Sequence, residues 1–152
     1  MQKIVPFLWF DNNAEEAMQF YTSVFKNNAR TTATTPGPDG KVITGTFELF
    51  GQEFMVLNGG PEFRFNEAIS FFVKCENQEE VDDLWNKLTD GGEESECGWL
   101  KDKFGLSWQI IPNALGEMLA DPDREKAGRV MQAMLQMRKI DIAGLKRAYD
   151  AP

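Results

Sequence analysis

Short apolar runs broken by turn residues fill the first 112 positions, and longer amphipathic runs fill the remainder. Ile4–Phe10, Thr31–Thr35, Lys41–Phe50 and Glu53–Asn58 mix β-branched and aromatic residues between Gly, Pro, Asn and Asp, a pattern that predicts strands. Ala14, Ala17, Met18, Tyr21, Val24 and Phe25 recur at helical spacing and predict a helix, with Asn12 as its cap and Glu15 three residues on. After Asn66 the order recurs. A strand is expected at Ala68–Lys74, followed by a helix that carries Val81, Leu84, Trp85 and Leu88 on one face. Asn77 caps that helix, with Glu80 in the third position, and Gly91-Gly92 stops it. Strands at Glu96–Asp102 and Leu106–Ile111 complete this half, and Asn58-Gly59-Gly60-Pro61 reads as the linker between halves. From Asn113 onward, Leu115, Met118, Leu119, Val130, Met131, Met134, Leu145 and Tyr149 stand among Lys, Arg, Glu and Ala, which predicts helix.

The recurrence holds in register. A shift of 64 lays Pro6-Phe7-Leu8-Trp9 on Ser70-Phe71-Phe72-Val73 and Glu15-Glu16-Ala17 on Glu79-Glu80-Val81. A shift of 54 lays Gly51–Leu57 on Gly105–Ile111, and the longer first hairpin around Pro36–Gly40 accounts for the difference. The expected fold is therefore α+β: two βαβββ modules, about 1–60 and 61–112, forming a cupped mixed sheet, then a helical tail over 113–152.

Composition narrows the chemistry. The chain has 152 residues, 16 basic and 24 acidic, and no histidine. Up to Pro112 there are 18 acids and 9 bases, a balance of −9; beyond it 6 acids and 7 bases give +1. An acidic chain without a basic run is a poor partner for nucleic acid, whose affinity rests on neutralising phosphates. Without imidazole, Ser-His-Asp and Cys-His catalysis and any imidazole-held metal are excluded. Cys75 and Cys97 make neither a disulfide framework nor a zinc site, so a reduced, cytoplasmic setting is expected. The apolar opening at Ile4–Phe10 is too short for a signal peptide or a bilayer span, so no membrane partner is expected. Glu79, Glu80, Asp82 and Asp83 read as a solvated helix face with favourable first-turn charges. Cys97 has no adjacent base or cation and reads as structural, and the tail methionines read as packing.

A doubled βαβββ module resembles the vicinal oxygen chelate superfamily, which includes glyoxalase I, extradiol dioxygenases and bleomycin-resistance proteins. More narrowly, Pro6-Phe7-Leu8-Trp9-Phe10, Ala14-Glu15-Glu16-Ala17, Phe20-Tyr21, Phe54–Pro61, Ser70-Phe71, Gly98-Trp99 and Phe104–Pro112 resemble the PhnB-like group. That group often carries a demethylubiquinone methyltransferase label. The resemblance covers about residues 1–120. It implies pairing of modules across a homodimer and, in metal-dependent members, four His and Glu ligands on the first and last strands of each module. Those places fall near Pro6, Met55, Ser70 and Gln109, a set that cannot hold a divalent ion, so no metal is expected. No G-x-G follows the first strand or occurs elsewhere, so S-adenosylmethionine has no glycine-rich turn to bind, and no cofactor is expected.

What remains is a cavity. Strand alternation places Leu8 and Phe10 with Pro6, Phe72 and Lys74 with Ser70, and Ser107 and Ile111 with Gln109. The candidate ligand-binding set is Pro6, Leu8, Met55, Ser70, Phe72, Ser107 and Gln109, a mostly apolar lining with a few hydrogen-bonding groups. A two-residue hairpin loop at Lys103-Phe104 would set Trp99 opposite Trp108 and Gly98 opposite Gln109. Trp99, Trp108 and Cys97 would then belong to the core, and Gly98 would leave room beside the Gln109 amide. The favoured function is a metal-free protein that binds an unidentified small molecule. The alternatives are a metal-independent isomerase or lyase using polar cavity residues and, disfavoured by the missing ligands, a metal-dependent lyase or dioxygenase or a methyltransferase.

Overall fold

A computed structural model describes residues 2–152, which form two compact units, one ending at Phe65 and the other running Asn66–Pro152. The first unit runs β1 (Phe7–Phe10), α1 (Ala14–Phe25), β2 (Ala29–Pro36), β3 (Val42–Leu49) and β4 (Gln52–Asn58). Its mixed sheet has the order β1-β4-β3-β2, with β1 parallel to β4 and the other pairs antiparallel. The second unit runs β5 (Ser70–Cys75), α2 (Gln78–Thr89), β6 (Glu93–Glu94), β7 (Trp99–Lys101) and β8 (Ser107–Pro112), and its sheet has the order β5-β8-β7-β6. Three tail helices follow within the same unit: α3 (Asn113–Leu119), α4 (Arg124–Met134) and α5 (Ile142–Asp150). The doubled βαβββ pattern is present, with the two-residue edge strand β6 as the counterpart of β2.

α1 covers one face of the first sheet. Tyr21 stacks on Phe47, which stacks in turn on Phe54. A Cβ added at Gly45 would strike the Met18 thioether, so the glycine lets the helix approach the sheet closely. The helix cap differs from the expected one. Asn12 does not cap α1; the Ala14 N–H donates to Oδ1 of Asn58 at the end of β4 (2.8 Å), and Asn58 Nδ2 donates to the Val42 carbonyl (2.9 Å). A side chain 44 residues away does the work usually given to the preceding residue, which local spacing cannot reveal. α2 behaves as the sequence indicates, with Asn77 Oδ1 accepting from the Glu80 N–H (2.9 Å).

The tail builds a core of its own from Leu115, Val130, Ile140 and Leu145 around Ile111 of β8. It is latched at three places. Gln78 at the start of α2 donates to the Ile140 carbonyl (3.0 Å) and accepts from the Ile142 N–H (2.8 Å). Lys139 pairs with Asp82 (2.9 Å). The Cys97 and Gly98 N–H groups donate to the Met137 and Arg138 carbonyls, both at 2.8 Å. These two bonds take residues 97 and 98 out of the strand expected over Glu96–Asp102, and both adopt left-handed backbone.

Candidate functional site

In each unit one sheet face lies under a helix and the opposite face carries the candidate residues. Two corrections decide which side chains stand there. First, Leu8 pairs with Val56, on the face that meets Met18 of α1, and is buried. The residue on the opposite face is Phe7, which pairs with Met55 and is half exposed. Phe10 is likewise buried. Pro6 precedes β1, and its carbonyl accepts from the Met55 N–H (2.9 Å). The cause is one residue of loop. Phe10 to Ala14 spans one position more than Cys75 to Gln78, so the shift of 64 that fits the helices becomes 65 in the strands. A one-residue slip turns every side chain to the other face.

Second, Trp99 pairs with Gln109, not Trp108, and Leu100 pairs with Trp108. The hairpin loop holds three residues, Lys103-Phe104-Gly105, closed by the Asp102 N–H to the Leu106 carbonyl and the Gly105 N–H to the Asp102 carbonyl, both 2.9 Å. Gly105 sits at φ +87°, the left-handed position that three-residue hairpins require. Buried Asp102 holds the loop: one oxygen accepts from the Phe104 and Leu106 N–H groups, the other from the Trp108 indole (2.9 Å). Trp108 is therefore core, as expected, whereas Trp99 stands half-buried beside Gln109. Cys97 is half-buried at the tail joint rather than in the core. No room remains at Gly98, where an added Cβ would meet Ile111 Cδ1 at 2.5 Å and Ile140 Cγ1 at 3.1 Å.

On the second sheet the candidate residues come together in cross-strand rows. Ser70 lies opposite Ser107, and Ser107 opposite Lys101. Phe72 lies opposite Gln109, and Gln109 opposite Trp99. Lys74 lies opposite Ile111, which the tail core covers. Gln109 Nε2 donates to Ser70 Oγ (2.9 Å), which fixes the amide and leaves its carbonyl oxygen facing outward from that bond. Lys101 is bound to Glu67 (3.0 Å), and that ammonium holds the Glu67 carboxyl below the usual range. The Ser107 hydroxyl is buried with no hydrogen-bond partner among the described residues. On the helix side, Cys75 lies against Glu80 in α2; burial, and then the Glu80 charge, push its thiol up to about 12. It is a packing residue, not a nucleophile.

The last strands of the two modules thus present Met55 beside Phe7 and Gln109 beside Phe72. A family model for 3-demethylubiquinone-9 3-methyltransferase matches residues 2–111. The chain belongs to this family. The match to this 3-demethylubiquinone methyltransferase-like, or PhnB-like, family ends within β8, and the three tail helices lie outside it. A PhnB protein from Bacillus cereus, described as a 3-demethylubiquinone-9 3-methyltransferase, is 38% identical, covers 73% of this chain and 99% of its own, and superposes with a TM-score of 0.68. Protein PA1353 from Pseudomonas aeruginosa is 18% identical over 74% of this chain and 98% of its own, with a TM-score of 0.62. The fosfomycin resistance protein FosX from Listeria monocytogenes, in complex with Mn(II) and sulfate, is 16% identical over 71% of this chain and 90% of its own, with a TM-score of 0.51. These relatives place the fold in the vicinal oxygen chelate superfamily. No curated protein matches the chain.

Neither group that these relationships imply fits the residues present. Phe7, Met55 and Phe72 offer no oxygen or nitrogen donor for a hard cation, and Gln109 offers one neutral carbonyl. Among the described residues no three His, Cys, Asp or Glu side chains gather to hold a metal ion. For S-adenosylmethionine, the first strand leads into α1 through Asp11-Asn12-Asn13 without glycine, and the first N–H of the helix is already bound by Asn58.

Proposed function

We propose that this chain is a metal-free small-molecule binding protein, working as a cytoplasmic homodimer, that keeps the module of its superfamily and has given up the metal. One observation carries the reading: beside the last strands, where a metal-dependent module needs carboxylates and imidazoles, stand the pairs Phe7–Met55 and Phe72–Gln109. Aromatic and thioether side chains with one anchored amide suit an organic ligand that is gripped by packing and oriented by a few hydrogen bonds. Two free cysteines agree with a reducing compartment.

Elemental analysis of protein purified without chelator tests the metal-free half, and less than a tenth of an equivalent of any transition metal is expected. A thermal-shift screen of small organic molecules tests the binding half. A ligand at 100 times its dissociation constant stabilises by about 2.7 kcal/mol, a shift of several degrees at this size. One equivalent of tightly held metal overturns the reading, as does a screen in which nothing moves the transition. Light scattering at micromolar concentration checks the dimer, and a monomer removes it.

A further inference from the structure

The unpartnered polar groups on the second sheet share one character. The chain has four tryptophans, and three indole N–H groups are bonded: Trp9 to the Gly60 carbonyl, Trp85 to Glu94 and Trp108 to Asp102. The Trp99 indole N–H has no partner among the described residues. The Ser107 hydroxyl has none either, although it is buried. Lys74 is exposed and makes no ion pair among the described residues, in a chain of net charge −8 where acids are plentiful. The nearest acid on its own strand, Glu76, lies beyond the end of β5. Lys101 is the other lysine on this face; Glu67 neutralises it and Glu93 lies opposite it.

Two accessible donors, the Trp99 indole and the Lys74 ammonium, therefore lack acceptors among the described residues, and the register sets them around one patch. Trp99, Gln109 and Phe72 form a row across β7, β8 and β5, so two aromatic side chains flank an amide. Cross-strand neighbours stand about 4.8 Å apart, and residues two apart along a strand are separated by roughly 6.6 Å. The serine row lies on one side of this aromatic row and Lys74 on the other, about 13 Å from end to end. Among the described residues only the Ser107 hydroxyl is both unpaired and fully buried, out of a ligand's reach, whereas the Trp99 and Lys74 donors are open to an acceptor from outside. Aromatic faces favour a planar ring, and the ammonium favours an anion.

Building on the proposed binding function, we infer that the Trp99–Gln109–Phe72 row binds a planar aromatic anion, its ring over the row, its carboxylate toward Lys74 and a polar substituent toward Ser70. The probes are 6-hydroxy-2-naphthoate, its uncharged carboxamide and the aliphatic anion cyclohexylacetate. They are titrated into nitrogen-15-labelled protein while the Trp99 indole and Gln109 side-chain amide resonances are followed. The naphthoate is expected to shift both signals and to bind at least about fivefold more tightly than either of the others. Lys74→Ala should remove the advantage over the carboxamide, while Lys87→Ala, on α2, should not. Equal binding of naphthoate and carboxamide, unaffected by Lys74→Ala, overturns the anion and leaves the binding function standing. No shift of either signal at millimolar probe overturns the inference as a whole. The metal content of the same sample reports separately on the metal-free reading, because a stoichiometric metal sinks that reading whatever the probes do.

Discussion

Gly98 shows how much one position can carry. Its φ of +85° lies where a side chain is strained, and Ile111 and Ile140 already fill the space a Cβ would take. Left-handed strain and overpacking each cost about 1–3 kcal/mol. Gly98→Ala should therefore lower stability by roughly 2–4 kcal/mol in urea denaturation. A loss under 0.5 kcal/mol would mean that the tail does not seat against this glycine. Asn58 offers a sharper comparison, because it closes the start of α1 from the far end of β4. Asn58→Ala is expected to cost about 1–2 kcal/mol, and Asn12→Ala close to nothing. The reverse order would restore the local cap. Several residues were legible without coordinates: Tyr21, Trp85 and Leu88 in the core, the Asn77 cap, and the shared face of Ser70, Phe72 and Gln109. The faces of Leu8 and Trp99 were not. Each turns on a single residue of loop length, and strand periodicity carries no information about that.

At the scale of elements, the tail is the part whose sequence said least. Its helical pattern was plain, but its docking depends on backbone carbonyls of Met137, Arg138 and Ile140, which no residue pattern announces. Polar latches hold it. Arg129 donates to the Ala148 and Tyr149 carbonyls at the end of α5, and the Tyr149 hydroxyl donates to Asp121. That bond holds the Asp121 carboxyl below its usual range and pushes the Tyr149 phenol up, while Gln78 and then Lys139 hold Asp82 low. The signs follow from linkage. The two depressed carboxylates contribute stability above the ordinary carboxylate range, and it is lost as pH falls through their lowered values. The raised phenol contributes below the ordinary tyrosine range, and its share is lost as pH rises through the raised value. Amide hydrogen exchange in α4 and α5 should therefore be slowest relative to the β8 amides at neutral pH and gain on them toward acid. Protection that falls in parallel for tail and sheet would show that the latches add nothing of their own.

At the scale of the whole molecule, the two halves share a pattern while their opposite faces differ in chemistry. Phe7 and Phe72 stand at matching places, each half exposed, yet their neighbours are Met55 in one half and Gln109 in the other. The doubled pattern and the absence of histidine could be read from the sequence, whereas the division between units falls after Phe65, beyond the expected linker at Asn58–Pro61. The donors left open on the second sheet could not be read from it, since partnership depends on distances between strands. No helix among the described residues is long and apolar enough to cross a membrane. The central claim is that neither sheet holds a metal. Mn(II), the ion bound by FosX, tests this most directly when titrated into micromolar protein and followed by electron paramagnetic resonance. The account predicts that the six-line signal of the free aqueous ion persists in full at one equivalent. Loss of that signal with saturation at one ion per chain, abolished by Gln109→Ala, would contradict it.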